Sequence, residues 1–533
     1  MVEPDTSPYY ITTAISYPNG RPHIGHAYEA IAADVIARFQ RLRGRRVRFQ
    51  TGTDEHGLKM ARKAAEQGRT ARDLADEMSG CFQEMCAALN VSYDRFIRTV
   101  EDDHHRASLA IWQRMEAAGD LYLDRYEGWY SVRDEAYYDE SELVEGEGGT
   151  KLSPQGTPVE WTVEESWFFR LSEYQDRLLE WLKAPNNVEP ASRRNEMIAF
   201  VEQGLRDLSV SRTSFDWGVK VPGSDNHVMY VWVDALTNYL TGLGFPDESE
   251  DMRDFWPADL HLIGKDIVRF HTIYWPAFLM SADLPLPKQV FGHGFLLARG
   301  GEKMSKSLGN VVDPLELAET FGVDTVRYFL MREVAFGQDG SYSPEAIVTR
   351  SNAELANSFG NLAQRTLSMI FKNMNGQLKD VVDQEATEIE GTEVGVDAAL
   401  TITVFAGVDG LIEKFDELNF STGLDRWMTA VFACNQYVDE QAPWALRKTD
   451  PERMEAVLMT LFRAVRTLTI ALRPVCPTAA DELLDQMGIP KGERKFVHIE
   501  DHAWFGRLVD SGFTLDKPHG VFPRLELPQA AEG

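Results

Sequence analysis

Tyr10-Ile-Thr-Thr-Ala-Ile-Ser-Tyr-Pro-Asn-Gly-Arg-Pro-His-Ile-Gly-His26 is the stretch that decides the fold of this chain. The β-branched and aromatic run from Tyr9 to Ser16 has the composition and length of a strand. A Tyr-Pro-Asn-Gly turn ends that run, and apolar residues at helical spacing follow it. The stretch therefore predicts a strand, a tight loop and a helix, which together form the first unit of a doubly wound α/β sheet. The apolar positions of the helix are Ile24, Tyr28, Ile31, Val35, Phe39 and Leu42.

Two histidines mark the predicted start of this helix. His23 and His26 are three residues apart, so both side chains can reach one anion at the positive end of the helix dipole. Gly25 lies between them, and its missing Cβ allows a flat ring to approach the backbone. We interpret the loop as a binding site for a nucleoside triphosphate. The alternative is an ordinary strand-to-helix turn with two surface histidines.

Composition is that of a soluble globular protein. The chain has 533 residues, 44% of them hydrophobic, and a formal net charge of −29. This length predicts about two to four domains. No apolar run reaches the roughly 20 residues that span a bilayer, and the N-terminus lacks the pattern of a signal peptide. We therefore expect a cytoplasmic protein with no membrane contact.

Charge and cysteine content limit the kinds of partner. The net negative charge alone argues against nucleic acid, but six arginines lie between Arg38 and Arg48. That cluster is either a solvated helix end or part of a confined basic track. The four cysteines form no Cys-x-x-Cys pair, so neither a thiolate zinc site nor a disulfide framework is indicated.

A second predicted strand, Val47 to Phe49, leads into Gly52-Thr-Asp-Glu-His-Gly57. Loops at the carboxyl ends of strands line the ligand crevice in doubly wound folds. Asp54 is therefore a candidate for binding a substrate cation. Its alternative role is to cap a helix that begins near Leu58.

The nucleotide-binding sheet is predicted to be split by inserted material. Short aromatic and charged segments from Leu121 to Trp167 indicate a small β-rich insertion, and helical patterns follow from Glu173 to about Gly204. The α/β pattern returns with a strand at Val228–Trp232 and a helix from Asp234 to Leu243. A further strand, Leu260 to Ile263, ends in Gly264-Lys-Asp266.

A lysine-bearing loop follows at Arg299-Gly-Gly-Glu-Lys-Met-Ser-Lys-Ser-Leu-Gly-Asn310. Lys303 and Lys306 are three apart, and the glycines at both ends of the loop provide hinges. Such a loop can bring two ammonium groups onto a polyphosphate and withdraw them for product release. Taken alone the pattern is weak, but together with the histidine turn it is specific.

Beyond residue 343 the sequence predicts a helical bundle. Asn357, Asn361 and Arg365 are spaced by four, which places amide and guanidinium groups on one helix face, and such groups read base edges. Trp444 follows a helix end and a proline, where an indole could stack on an unpaired base. Ordinary surface and core roles are the alternatives. Residues 521–527 are predicted to form a short closing strand.

Four signatures together resemble those of class I aminoacyl-tRNA synthetases. The histidine turn and the lysine loop resemble the class, and the two signatures on the helical bundle resemble the methionine-specific members. The resemblance covers nearly the whole chain. It implies activation of methionine with ATP and Mg²⁺, followed by transfer of the methionyl group to tRNA(Met), with no covalent nucleophile on the protein. The signatures are His23-Ile-Gly-His26, Lys303-Met-Ser-Lys-Ser307, Asn357…Asn361-Leu-Ala-Gln-Arg365 and Asp439-Glu-Gln-Ala-Pro-Trp444.

The same resemblance implies four sets of site residues. Catalysis is assigned to His23, His26, Lys303 and Lys306. ATP is assigned to Gly25, Gly264 and Asp266 together with the two lysines, and the anticodon to Asn357, Asn361, Arg365 and Trp444. The implied methionine pocket comprises Ala14, Ile15, Tyr17, Asp54, Trp232, Ala235, Tyr239, Ile267 and His271, with Asp54 binding the ammonium group.

The insertion departs from many relatives, which carry a zinc knuckle there. Ser131 and Asp134 stand where thiolates would fall, and the downstream cysteine pair is missing between Gly148 and Pro158. We therefore expect no structural zinc and no other protein-bound metal. The chain also lacks the C-terminal extension that makes some relatives dimers, which favours a monomer.

The expected fold class is α/β followed by all-α. A doubly wound, parallel, Rossmann-like catalytic domain is split by the insertion and precedes a helical anticodon-binding bundle. Two alternatives stay open: a class I synthetase for leucine, isoleucine, valine or cysteine, and a catalytically silent tRNA-binding protein. The predicted domain bounds are 1–118 and 226–298 for the catalytic halves, 119–225 for the insertion, 299–343 for the lysine loop and stem-contact region, 344–515 for the bundle and 516–533 for the tail.

Overall fold

The computed structural model describes residues 5–133, 136–146, 149–297, 311–379, 395–501 and 503–527. An α/β part with a parallel central sheet precedes a helical part, as the sequence predicts. The strands are Pro8–Thr13 (β1), Arg46–Thr53 (β2), Arg95–Arg98 (β3), Leu121–Ser131 (β4), Ala136–Tyr138 (β5), Val144–Glu145 (β6), Lys151–Leu152 (β7), Glu160–Phe169 (β8), Val188–Glu189 (β9), Leu208–Ser209 (β10), Ser211–Arg212 (β11), Val228–Met229 (β12), Leu260–Gly264 (β13), Val290–His293 (β14), Leu296–Leu297 (β15) and Gly340–Ser341 (β16).

Helices cover both faces of the sheet and form most of the second half of the chain. Within the described ranges, none combines the length and apolarity needed to cross a bilayer. The α-helices are Ile24–Leu42 (α1), Leu58–Glu66 (α2), Ala71–Ala88 (α3), Asp102–Ala117 (α4), Gln175–Lys183 (α5), Ala191–Glu202 (α6), Val231–Thr241 (α7), Glu250–Phe255 (α8), Trp275–Ser281 (α9), Pro314–Phe321 (α10), Val323–Glu333 (α11), Pro344–Arg350 (α12), Asn361–Asn373 (α13), Val396–Asp416 (α14), Phe420–Gln441 (α15), Pro443–Thr449 (α16), Pro451–Leu472 (α17), Pro477–Gln486 (α18) and Trp504–Asp510 (α19).

The central sheet has the order β3-β2-β1-β13-β14-β9, and every neighbouring pair is parallel. The chain builds outward from β1 in one direction with β2 and β3, and in the other with β13 and β14. The order therefore reverses between β1 and β13. Ligands of doubly wound folds bind at such a reversal, beyond the carboxyl ends of the strands.

The insertion contains a four-stranded antiparallel sheet of order β10-β8-β4-β5. It confirms the β-rich segment expected between Leu121 and Trp167. The helical stretch expected from Glu173 to Gly204 is interrupted, however, because β9 pairs with β14 and adds the outermost strand to the central sheet. A strand of two residues carries too little periodicity to be recognised from sequence.

The strand expected at Val228–Trp232 is shorter than predicted. It ends at Met229, and α7 begins at Val231, so Trp232 lies in the first turn of a helix. The run Val-Met-Tyr-Val-Trp is apolar throughout, and an apolar run of this length does not distinguish a strand from a buried helix.

The helical part confirms the predicted bundle. It contains one irregular helical segment, and the strand predicted in the tail is absent from the described residues. A π-helical segment, Ser351–Gly360, connects α12 to α13. The closing strand predicted for residues 521–527 is wrong. The structure has no strand in that described segment, and the backbone N–H and C=O of Leu525 bond instead to the Asn352 side chain, at 2.8 and 2.9 Å.

A buried arginine joins the helical part to α1. The guanidinium of Arg327, on α11, donates to the Asp34 carboxylate of α1 at 2.6 Å and to the carbonyl oxygens of Pro474 and Val475 at 3.0 and 2.9 Å. Arg327 and Asp34 are both fully buried. A buried ion pair of this kind is costly to break, so it fixes the helix that carries His23 and His26 against the bundle.

Candidate active site

A cavity of about 500 Å³ opens at the carboxyl ends of β1, β2, β13 and β14. The described residues that the sequence assigned to ATP and methionine all line it, although they come from distant parts of the chain. They are Ala14, Ile15, Tyr17, His23, Gly25, His26, Asp54, Trp232, Ala235, Tyr239, Gly264, Asp266, Ile267 and His271.

The two histidines cap α1 reciprocally. The Nδ1 atom of His23 accepts from the Gly25 N–H, and that of His26 accepts from the His23 N–H, each at 3.1 Å. A neutral ring whose Nδ1 accepts carries its proton on Nε2. The ring centroids are 3.9 Å apart, so the two histidines present a pair of neighbouring donors at the positive end of the helix.

Glycines keep the wall of the cavity close to the backbone at two points. A Cβ on Gly25 would lie 2.9 Å from Cε1 of His23, and one on Gly264 would lie 2.7 Å from Oδ1 of Asp266. From the sequence, we explained the glycine at position 25 by the close approach of a ligand ring to the backbone. The structure adds another reason, because the capping ring of His23 itself occupies the space of a side chain.

Asp54 follows β2 directly and is 9% exposed. Its backbone N–H donates to the carbonyl oxygen of Ser16 at 2.9 Å, which joins the β2 loop to the segment after β1. Asp54 thus lies at the carboxyl ends of the strands, one strand away from the point where the order reverses. It supplies the cavity with a negative charge.

Aromatic side chains form another part of the cavity wall. The Trp232 ring stacks on Phe270, with centroids 3.8 Å apart and an interplanar angle of 5°. The Tyr239 hydroxyl donates to Nε2 of His271 at 2.7 Å, and Nδ1 of His271 donates to the carbonyl oxygen of Ile267 at 3.0 Å. Burial lowers the pKa of His271 to about 4. This wall is therefore apolar and uncharged at neutral pH.

Sequence reasoning missed an ion pair in the same cavity. Nε2 of His293, at the end of β14, lies 2.9 Å from the Glu29 carboxylate of α1. Burial alone would lower the His293 pKa, but Glu29 raises it above the usual value. Burial also raises the Glu29 pKa, which favours the neutral acid. The 2.9 Å contact favours the ion pair, and its partners are 264 positions apart, so no local spacing could have indicated it.

The insertion also contributes to the cavity. Arg133 and Gln155 line it, although neither belongs to the α/β repeat. Sequence reasoning gave the insertion no role in the site. Their position adds a cationic group and an amide to a wall that is otherwise built from the sheet and α7.

The hydroxyl of Ser131, a position predicted to replace a zinc thiolate, lies 2.7 Å from that of Thr157, which lies 2.8 Å from that of Ser153. All three side chains are fully buried. Asp134 is outside the described residues. Among the described ones, no group of three or more histidine, cysteine, aspartate or glutamate side chains is arranged to hold a metal ion, and the absence of zinc stays a prediction.

Lys303 and Lys306, assigned to the triphosphate, lie in the segment 298–310, outside the described residues. On the helical part, Asn357 and Asn361 are exposed. The Arg365 guanidinium lies 5.5 Å from the centroid of the Trp444 ring, and Trp444 is 49% exposed. The structure thus brings Arg365 and Trp444 together on the surface.

The arginine cluster from Arg38 to Arg48, which runs from the last turns of α1 into β2, is neutralised within the protein. Each of its six members has a carboxylate partner, which favours a solvated, ion-paired surface over a basic track. The pairs are Arg38 with Asp34, Arg41 with Asp94, Arg43 with Asp416, Arg45 with Asp5 and Asp259, Arg46 with Asp254, and Arg48 with Asp251.

Two family models match the chain. One, described as "tRNA synthetases class I (M)", matches residues 9–367. The other, described as "Anticodon binding domain of methionyl tRNA ligase", matches residues 390–532. The first model covers the α/β part and the start of the helical part, and the second covers most of the bundle.

Individual relatives agree with the family models over the full length. A methionine–tRNA ligase of Rhizobium meliloti is 56% identical over 532 residues, which is 99% of this chain and 100% of the relative. One of Mycobacterium tuberculosis is 54% identical over 539 residues, 99% of each chain. The solved structure of Mycobacterium tuberculosis methionyl-tRNA synthetase in complex with methionyl-adenylate matches with a TM-score of 0.90 and 52% identity, over 97% of this chain and 100% of that one.

Proposed function

The chain belongs to the methionine–tRNA ligases of the class I tRNA synthetase family, and from that membership we propose which residues carry each step of the reaction. It activates methionine with ATP, releases pyrophosphate, and transfers the methionyl group to the 3′ end of tRNA(Met). The two alternatives considered from the sequence, another amino acid and a silent tRNA binder, are set aside by this membership.

The methionine assignment rests on a carboxylate and a group of aromatic side chains that line the same cavity. Asp54 binds the substrate ammonium group, because a nearly buried carboxylate attracts a cation strongly. Trp232, Tyr239 and His271 surround the thioether, where sulfur–ring contacts contribute about 0.3–1.5 kcal/mol each. The uncharged state of His271 suits this role, since a charged imidazole would be costly beside an apolar side chain. Ala14, Ile15, Tyr17, Ala235 and Ile267 complete the pocket.

The nucleotide assignment rests on the capped start of α1. His23 and His26 direct their Nε2 donors to the phosphates, and Lys303 and Lys306 neutralise the departing pyrophosphate. Gly25 and Gly264 leave room for the adenosine, and Asp266 accepts from its ribose hydroxyls. Magnesium enters as the complex of ATP, with phosphate oxygens as its ligands.

The chemistry needs no nucleophile from the protein. A carboxylate oxygen of methionine bonds to the α-phosphorus of ATP, and the bond from that phosphorus to the bridging oxygen breaks, so pyrophosphate leaves with the electron pair. A hydroxyl of the terminal tRNA ribose then attacks the methionyl carbonyl carbon, and AMP leaves. The chain contributes positioning and stabilisation of charge.

The observation that carries this assignment is that Asp54, the thioether-binding rings and the two phosphate-binding histidines line one cavity. Methionine-dependent exchange of labelled pyrophosphate into ATP tests it. We expect exchange with methionine and none with leucine, isoleucine, valine or cysteine at equal concentration. Exchange with leucine but not with methionine would overturn the assignment.

For the anticodon we propose the surface formed by Asn357, Asn361, Arg365 and Trp444. The amides and the guanidinium can pair with base edges, and the indole next to Arg365 can stack on an unpaired base. The domain bounds predicted from the sequence are kept as proposals, to be tested by limited proteolysis.

We also keep three predictions made from the sequence. The insertion folds without zinc, since a buried hydroxyl cluster at Ser131, Ser153 and Thr157 is a poor zinc site. Stoichiometric zinc by atomic absorption, in protein purified without chelator, would contradict this.

A monomer should give a mass of 60.3 kDa by light scattering. The cytoplasmic location stays a prediction, which microscopy of the tagged protein tests.

A further inference from the structure

A buried carboxylate joins two histidines behind the methionine end of the cavity. Asp234 of α7 lies 2.6 Å from Nδ1 of His56 and 2.7 Å from Nε2 of His104. All three side chains are almost fully buried, with Asp234 1% exposed. A carboxylate only accepts hydrogen bonds, so both of these imidazole nitrogens must carry hydrogen.

The three residues belong to three different elements. His56 lies two residues beyond Asp54, in the loop that follows β2, and His104 is on α4. Asp234 is on α7, the helix that also carries Trp232 and Tyr239. The carboxylate therefore connects the loop of the ammonium-binding residue to the helix of the thioether-binding residues.

Burial makes the hydrogen bonds of this connection costly to break. Removing a carboxylate from water costs several kcal/mol unless strong hydrogen bonds replace the lost hydration. Burial alone would raise the pKa of Asp234, but His56 and His104 outweigh it and hold the pKa below its usual value. Asp234 is therefore ionised, and both hydrogen bonds are charge-assisted.

Neighbouring contacts hold the loop to other parts of the protein. The Glu55 carboxylate accepts from the Arg98 guanidinium of β3 at 2.7 and 2.8 Å, and the indole N–H of Trp217 donates to the Glu55 carbonyl oxygen at 2.6 Å. These contacts fix the loop to the sheet and to the segment before β12. The bond between His56 and Asp234 fixes it to α7.

We propose that Asp234 is a positioning residue for methionine, which sets where the Asp54 carboxylate lies relative to the aromatic wall on α7. The proposal rests on the role proposed above for Asp54. Asp234 does not touch the substrate; it acts through His56 on the loop. It thereby sets the separation of the two groups that recognise the opposite ends of methionine.

Two analogues separate this role from a general loss of structure. 3-(Methylthio)propylamine keeps the thioether and the amine, whereas 4-(methylthio)butanoate keeps the thioether and lacks the amine. Inhibition constants of both are measured in the pyrophosphate exchange reaction. For Asp234→Asn we expect the constant of the amine to rise about tenfold or more, and that of the amine-free acid to change less than about twofold.

A matched control and a rescue pair support the measurement. Glu354→Gln removes a buried carboxylate that pairs with Arg332 and Arg350 and does not line the cavity, so it should lower thermal stability without changing either inhibition constant. His56→Ala removes the donor to Asp234, and His56→Asn restores one near the position of Nδ1. The alanine variant should reproduce the effect of Asp234→Asn, and the asparagine variant should recover most of the affinity. These histidine variants also serve if Asp234→Asn does not fold.

Two results would overturn the proposal. Equal weakening of both analogues would mean that the cluster maintains the pocket as a whole. No weakening of either would mean that the loop holds its position without Asp234. Asp54→Asn tests the underlying assumption. If that variant does not change the inhibition constant of 3-(methylthio)propylamine, the assignment of Asp54 itself fails. If Asp54→Asn weakens the amine and the Asp234 and His56 variants do not, only the positioning role fails.

Discussion

The methionine end and the nucleotide end of the cavity use a buried imidazole in opposite ways. At the methionine end, His271 bonds to a hydroxyl and a carbonyl, and burial lowers its pKa to about 4. At the nucleotide end, against the helix that His23 and His26 cap, His293 is also buried, but its carboxylate partner Glu29 raises its pKa above the usual value. Because both rings are buried, the partner decides which of them is charged.

This difference shows how one cavity serves a neutral and an anionic ligand. In the proposed mechanism, rings without net charge contact the thioether of methionine. The dipole of α1, the Nε2 donors of His23 and His26, and two lysines stabilise the phosphates. Changes at the first end should therefore alter the affinity for methionine, whereas changes at the second should alter the rate of adenylate formation.

The largest effect is expected at the nucleotide end. Lys306→Ala should lower the rate of adenylate formation by about 10²–10³, since it removes one donor to the transition state. Single-turnover kinetics measure this rate, and the methionine KM should stay nearly unchanged. Lys379→Ala is a control, because Lys379 is a surface lysine that pairs with Glu455 in the helical part. A large loss of methionine affinity without loss of rate would contradict the comparison.

The two histidines should also give stability profiles of opposite sign. The His271 pKa of about 4 lies below its value of 6.5 in an unfolded chain, so its contribution is complete above pH 6.5 and is lost as the pH falls toward 4. That loss is about 3 kcal/mol at most. The raised pKa of His293 gives a contribution that is complete below pH 6.5 and is lost as the pH rises through the folded value.

Thermal unfolding of His271→Gln and His293→Gln from pH 4 to pH 9 tests this contrast. The first substitution should flatten the acid side of the profile, and the second should flatten the alkaline side. If both variants keep the slopes of the parent protein, the two ends do not differ in the way described.

A residue outside the cavity should affect neither end. Trp444→Ala should weaken use of tRNA by about 1–3 kcal/mol, the contribution of one stacked base, and should leave pyrophosphate exchange unchanged. Aminoacylation at varied tRNA concentration measures the effect, with Val497→Ala as a control for loss of an exposed apolar side chain. If exchange also collapses, Trp444 has a structural role.

The smallest effect is expected for the hydroxyl at the methionine end. Tyr239→Phe leaves Nε2 of His271 without its donor, a loss of about 1–2 kcal/mol. The kcat/KM for methionine should fall about tenfold, while the KM for ATP stays constant. An equal change in the KM for ATP would show that the two ends are not independent.

The sequence and the family resemblance predicted half of the residues that line the cavity. His23, His26 and Asp54 follow from strand–turn–helix patterns, whereas the aromatic wall followed only from the resemblance. Sequence reasoning missed Glu29 with His293, and it assigned no role to His56, His104 and Asp234. These residues meet across 264, 178 and 130 positions of the chain. No local periodicity encodes such pairings. Short apolar runs caused the errors of assignment at Trp232 and in the tail, since they fit either a strand or another buried conformation.

The sequence by itself determined the strand–turn–helix units, the helical second half and the family. These features are local, because backbone preference and side-chain period act over a few residues. Only the tertiary structure decided that β9 completes the central sheet, that His271 is buried and neutral whereas His293 meets a distant carboxylate, and that Asp234 ties the loop of Asp54 to α7. Those outcomes depend on which surfaces exclude water together, and that is settled by packing over the whole chain.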